Sequence, residues 1–152
     1  MNYWLMKSEP DECSIDHVLA APGRKTAWNG VRNYQARNFM RDRMQVGDRV
    51  LFYHSSCAEP GIAGLAEVAS AVYTDASQFD ATSPYYDPKS KKDAPRWLNV
   101  DVRALRKTKL VPLAELRKHK ALAKMTLLRP GNRLSITPVS AAQWKYITER
   151  LI

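Results

Sequence analysis

The apolar positions of this chain switch repeatedly between a period of two and a helical spacing, and the switches divide it into short elements. Residues 2–7 are aromatic and aliphatic and predict a buried strand. Ser14 is placed to cap a short helix through His17, Val18 and Leu19, which Pro22-Gly23 stops. Trp28-Asn29-Gly30-Val31 predicts a turn, because Asn-Gly favours positive φ. From Asn33 to Met44 the spacing predicts a helix with Ala36, Phe39, Met40 and Met44 on one face and Arg37, Arg41 and Arg43 largely off it. Residues 49–54 predict a strand, and 62–73 a longer one that bends at Gly64. The stretch 75–96 is rich in turn formers. The clearest alternation follows, with Leu98, Val100, Val102 and Ala104 on one face and Trp97, Asn99, Asp101 and Arg103 on the other. Pro112 opens a helix through Leu113 and Leu116, and 133–136 predict a short strand. A last helix begins at the capping box Ser140-Ala-Ala-Gln143 and buries Trp144, Ile147 and Leu151. Five or six short strands with three or four short helices predict an α/β (α+β) fold, a small twisted β-barrel with peripheral helices.

Length and composition narrow the picture. The 152 residues, 45% hydrophobic and 26% charged, suit a single domain over 1–152 with its own core. No apolar run reaches the roughly 20 residues that span a bilayer. The start of the chain reads as a strand and not as a signal peptide, so the expected compartment is the cytoplasm, or the nucleus in a eukaryote. Cys13 and Cys57 are the only cysteines and are expected as free thiols. The net charge of +9 favours polyanionic partners, since phosphates supply most non-specific affinity for basic domains.

Several segments, in order, resemble the EVE domain of the PUA-like superfamily. They are Tyr3-Trp4-Leu5-Met6-Lys7-Ser8-Glu9-Pro10, the run from Trp28 to Asn38, Val46-Gly47-Asp48 with Phe52-Tyr53-His54-Ser55, and the run from Ile62 to Val68. Ser83-Pro84-Tyr85-Tyr86-Asp87-Pro88, Trp97 and the run from Arg133 to Val139 complete the set, which covers nearly the whole chain. The resemblance implies a PUA-like barrel related to the YTH domain, whose aromatic cage holds a methylated base. It implies binding of a modified base in DNA or RNA through a similar pocket, with Trp28 at the position of a cage tryptophan. The segments carrying Lys7, Ser8, Asn29, His54, Ser55, Leu134 and Ser135 would line the same cavity.

The residues themselves fit such a role. Trp28 and one of Tyr85, Tyr86 or Trp97 offer two aromatic walls, and stacking returns about 1–3 kcal/mol per base. Asn29 presents donors and an acceptor to a base edge, and Ser8, His54 and Ser55 add donors. Trp4 and Trp144 sit on apolar faces and are expected in the core. Trp97 lies on the polar side of its strand and needs covering by the 83–95 loop or by a ligand. Arg32, Arg37 and Arg41 are the expected phosphate contacts, while the basic run from Arg103 to Lys124 reads as a solvated face. Cys13-x3-His17 and His54-x2-Cys57 could make a zinc site only if two unrelated segments met, and no metal or other cofactor is expected. No glycine-rich phosphate loop and no paired carboxylates for acid–base work are present. The expected function is thus a monomeric, non-enzymatic module that binds nucleic acid and takes up a flipped or modified base. The rivals are a small-molecule or nucleotide sensor using the same pocket, an interaction module for an acidic protein, and an enzyme.

Overall fold

The computed structural model describes residues 1–152. Its elements are β1 (Tyr3–Ser8), α1 (Ile15–Ala20), β2 (Lys25–Ala27), α2 (Tyr34–Asp42), β3 (Arg49–His54), β4 (Gly61–Val68), β5 (Tyr73–Thr74), β6 (Leu98–Asn99), β7 (Asp101–Pro112), α3 (Leu113–Leu116), β8 (Ile136–Val139) and α4 (Ala141–Arg150), with short 3-10 turns between some of them. Six strands form one mixed sheet in the order β2-β7-β4-β3-β1-β8, and β5 pairs with β6 in a separate ribbon. This is the mixed α+β architecture with peripheral short helices that the pattern predicts. Within the large sheet β1 and β3 are parallel neighbours. Their connection passes through α1, β2 and α2, as a parallel pair requires a crossover.

Alternation along the central strands buries both faces of the sheet. Trp4, Met6, Val50 and Phe52 enter one core with Ile15, Val18, Ala36 and Met40 of α1 and α2. Leu5, Leu51 and Tyr53 enter a second core with Leu116, Ile147 and Leu151. Trp4 is fully buried and its indole N–H donates to Asp48 Oδ2 at 3.0 Å. Trp144 stacks on Tyr3, with ring centroids 5.0 Å apart, against the second core. Ser14 and Ser140 cap α1 and α4, each within a capping box. In α1 the box is closed by His17 where Glu or Gln is usual.

Glycine at position 64 has a steric cause. A Cβ there would lie 2.6 Å from the Ile15 side chain and 2.9 Å from the Arg106 carbonyl oxygen. The β3–β4 and β4–β7 ladders both shift register close to this position. Glycine therefore lets α1 lie directly on the sheet.

Three strands differ from the sequence reading by more than two residues. The strand expected over 62–73 ends at Val68, because the Ala69 N–H donates to the Asp101 carbonyl and Ser70 Oγ accepts from the Asp101 N–H at 2.8 Å. Tyr73–Thr74 then pair with Leu98–Asn99 instead. The strand expected over 133–136 begins only at Ile136, since Gly131 turns at φ +74 and Asn132 Oδ1 accepts from the Leu134 N–H. Pro138 sits on this edge strand, where its missing N–H costs no ladder bond. Finally, the alternating strand is interrupted at Val100 and continues as β7 to Pro112, paired with β4.

Candidate functional site

Parallel pairing brings the C-terminal ends of β1 and β3 out on the same side of the sheet, and a cavity of about 640 Å³ opens there. That volume lies within the usual range for small-ligand sites. The Ser55 N–H donates to the Ser8 carbonyl at 2.9 Å, and Ser8 Oγ donates to the Cys13 carbonyl at 2.7 Å, tying the strand ends to the turn before α1. The Lys7 N–H donates to the Ser135 carbonyl at 2.8 Å, which brings Ser135 into the wall. Burial lowers the pKa of the Lys7 ammonium, which pairs with no carboxylate.

The opposite wall is the segment from Thr26 to Val31. Trp28 is 7% exposed and belongs to the first core, where it meets Phe52 edge-on at 5.3 Å, yet it also lines the cavity. Its N–H donates to the Val100 carbonyl. Asn29 is exposed at the cavity, and its side-chain amide makes no hydrogen bond within the chain.

Gly30 turns the segment at φ +81, and its N–H donates to Asp75 Oδ2 at 2.9 Å. A Cβ at Gly30 would lie 2.6 Å from the ring of Tyr85, so glycine alone lets that ring close over the backbone here.

Asp75, fully buried, is the anchor of this wall. It accepts from the Gly30 N–H, the Arg32 guanidinium at 3.0 Å, and the Ser77 N–H and hydroxyl. Burial pushes its carboxyl up, but the bonds from Ser77, Gly30 and Arg32 outweigh it and hold the pKa below the ordinary 3.8. Arg32 in turn donates from Nε and Nη2 to the Tyr85 carbonyl at 3.1 and 2.7 Å. The Tyr85 hydroxyl crosses to Glu12 and donates to Oε1. Burial, then the bond to Glu12, raises the Tyr85 pKa to about 12, so the phenol stays protonated.

The cavity thus gathers Lys7, Ser8, Trp28, Asn29, Ser55, Tyr85 and Ser135 of the residues expected from sequence. His54, Tyr86, Trp97 and Leu134 lie outside its lining. His54 Nε2 accepts from the Ile15 N–H at 3.2 Å and so helps to fix the start of α1. Its burial lowers its pKa, in keeping with a neutral acceptor. Trp97 is 6% exposed, stacked on Tyr34 at 4.8 Å and bonded through its indole N–H to Asp87 Oδ2. Tyr34, Arg32 and Asp87 cover it, and it does not reach the cavity. Tyr86 is 44% exposed on that segment, and Leu134 precedes β8 beside Ser135.

The expected phosphate contacts are also largely occupied. Arg37 donates to the Arg96 carbonyl and to Asn38 Oδ1, while Arg41 pairs with Asp42 at the surface. Glu9, Glu12 and Cys13 line the cavity and Asp75 supports it, and the sequence pattern gives none of them a place in a base pocket. The one cue was the Glu9-Asp11-Glu12 cluster after β1, which reads as a turn. No group of three or more His, Cys, Asp or Glu is placed to hold a metal ion, and no helix is long and apolar enough to cross a membrane.

The family model of the EVE domain matches residues 2–150. This chain belongs to the EVE-domain family. Thymocyte nuclear protein 1 of Homo sapiens is 44% identical to it over 163 residues, covering 96% of this chain and 72% of the human protein. The crystal structure of human THYN1 protein in complex with 5-methylcytosine-containing DNA superposes with a TM-score of 0.93 at 42% identity, covering 98% of this chain and 96% of that one. A hypothetical protein from Leishmania major, 47% identical, superposes at 0.92 over 98% of this chain and 93% of its own. The EVE fold is therefore shared over almost the full length.

Proposed function

We propose that this EVE-domain protein is a non-enzymatic reader of nucleic acid that takes a single modified base, of the 5-methylcytosine class, into the cavity between Trp28 and Tyr85. The observation that carries this reading is the combination of an aromatic wall with unpaired polar groups in one open cavity. The Lys7 ammonium and the Asn29 amide line it without partners in the chain, and the Ser55 and Ser135 hydroxyls join them. Such groups are costly to leave dry and suit the edge of an incoming base. Human THYN1 protein, crystallised with 5-methylcytosine-containing DNA, has the same fold at 42% identity and supports DNA as the polymer.

A base reader also needs phosphate contacts to fix register. Arg32 serves the site from behind, by holding Asp75 and Tyr85. Cations beside the lining residues are better placed to meet phosphates. Arg24 and Lys25 lie between the lining residues Ala21 and Thr26, and Arg133 stands two residues before Ser135. All three are exposed and form no ion pair, and Arg41 lies exposed on α2. Arg24 also occupies a left-handed backbone at φ +56, a conformation uncommon for a residue other than glycine.

The test is a fluorescence titration with single-stranded oligonucleotides that differ at one base, run at two salt concentrations. The protein should prefer the 5-methylcytosine strand, and its affinity should fall with salt. Replacing both Arg24 and Lys25 by alanine should lower the salt slope by about 0.7 for each phosphate that is no longer neutralised and leave the base preference in place. Tight binding of the free nucleoside with no salt dependence would favour a small-molecule sensor instead.

A further inference from the structure

We infer that Glu12 is the residue that tests the exocyclic amino group of the bound base, and that Tyr85 is the positioning residue that aims it. This rests on the base-reading role proposed above. The problem such a site must solve is chemical. 5-Methylcytosine and thymine carry the same methyl group and differ where one presents an amine donor and the other an oxygen acceptor. An apolar gap for the methyl group admits both. Donors in the wall, from Lys7, Asn29, Ser55 and Ser135, suit the C2 carbonyl oxygen that both bases share. At the exocyclic position an acceptor that cannot donate favours the amine over the oxygen, and the carboxylates lining the cavity are Glu9 and Glu12.

Of the two, Glu12 alone is held. Its Oε1 accepts from the Tyr85 hydroxyl, and its Oε2 has no partner in the chain. Tyr85 cannot easily shift. Its ring lies on Gly30, its carbonyl oxygen accepts two bonds from Arg32, and its N–H donates to Ser83 Oγ at 3.1 Å. Arg32 is fixed by the buried Asp75. A line of contacts thus runs from the protein interior through Asp75, Arg32 and Tyr85 to one oxygen of Glu12 and leaves the other free at the cavity. Both glutamate side chains are exposed, and Glu9 makes no such bond. A preorganised acceptor of this kind gains a charge-assisted bond from the cytosine amine and leaves the thymine oxygen facing a carboxylate.

The experiment is a competition titration at fixed salt with three oligonucleotides identical except for one 5-methylcytosine, cytosine or thymine, against wild type, Glu12→Gln and Tyr85→Phe. Wild type should favour 5-methylcytosine over thymine by about tenfold or more. Glu12→Gln should bring that ratio close to one, because an amide can turn to donate or accept, and leave the ratio of 5-methylcytosine to cytosine unchanged. Tyr85→Phe keeps the ring on Gly30 and should narrow the thymine ratio without a large change in thermal midpoint. Glu12→Gln retaining the wild-type ratio would overturn the assignment. Wild type binding all three strands equally would instead remove the base-reading role on which it rests, so the two failures are distinguishable.

Discussion

Trp28→Ala should abolish base-selective binding and lower stability by about 3–5 kcal/mol. The two effects share one cause. The indole is 7% exposed, packs edge-on against Phe52 in the first core, and also forms part of the cavity wall. Truncation therefore opens the core and removes a stacking surface worth about 1–3 kcal/mol per base. That loss is large against a typical domain stability of about 5–15 kcal/mol, so Trp28→Phe is the companion variant. It should remain folded, retain part of the stacking and bind more weakly with the same order of base preference. Denaturant unfolding and the oligonucleotide titration together check this. A folded Trp28→Ala protein with wild-type preference would contradict the role given to Trp28.

The second large effect is expected at a residue that does not line the cavity. Asp75→Ala should destabilise the protein by about 3 kcal/mol or more, because it strands the Arg32 guanidinium and the Gly30 N–H behind the wall. Arg32 is 23% exposed and recovers some hydration, which places the loss toward the lower end for a broken buried pair. Base binding should weaken with it, since Gly30 and Tyr85 lose their common anchor. The carboxyl also fixes a pH dependence. Its folded pKa lies below the ordinary value of 3.8, so its contribution is fully present above that value and is lost as the pH falls through the lower folded value. Urea unfolding at pH values on both sides of 3.8 should show this acid limb in wild type and a weaker one in Asp75→Asn.

Local signals were legible in the sequence and long-range ones were not. The apolar run of β1, the caps at Ser14 and Ser140 and the polar and apolar faces of α2 depend on neighbours a few residues apart, so periodicity and cap chemistry reveal them. The cavity depends on contacts such as Arg32 to Asp75 and Tyr85 to Glu12, 43 and 73 residues apart, to which no period points. Trp97 illustrates the difficulty. Its place on the polar side of a strand required a cover, and the structure supplies Tyr34, Arg32 and Asp87, which no local rule selects. Arg32 and Arg37 stood out as basic residues beside an aromatic turn. In the fold their guanidinium groups satisfy backbone carbonyls of the 75–96 segment and its end. The resemblance on whole segments compensated for this by marking Lys7, Ser8, Asn29, Ser55 and Ser135, which the topology does bring to one cavity.

The most direct test of the central claim is an NMR titration of the labelled protein with a short single-stranded DNA carrying one 5-methylcytosine. The Trp28 indole N–H and the amides of Lys7, Asn29, Ser55 and Ser135 are predicted to shift strongly, and the same strand with plain cytosine should move them less. Shifts confined to the basic face of β7 and the segment after it, with the cavity residues unmoved and both strands equivalent, would contradict a base in the cavity and leave only charge-driven binding.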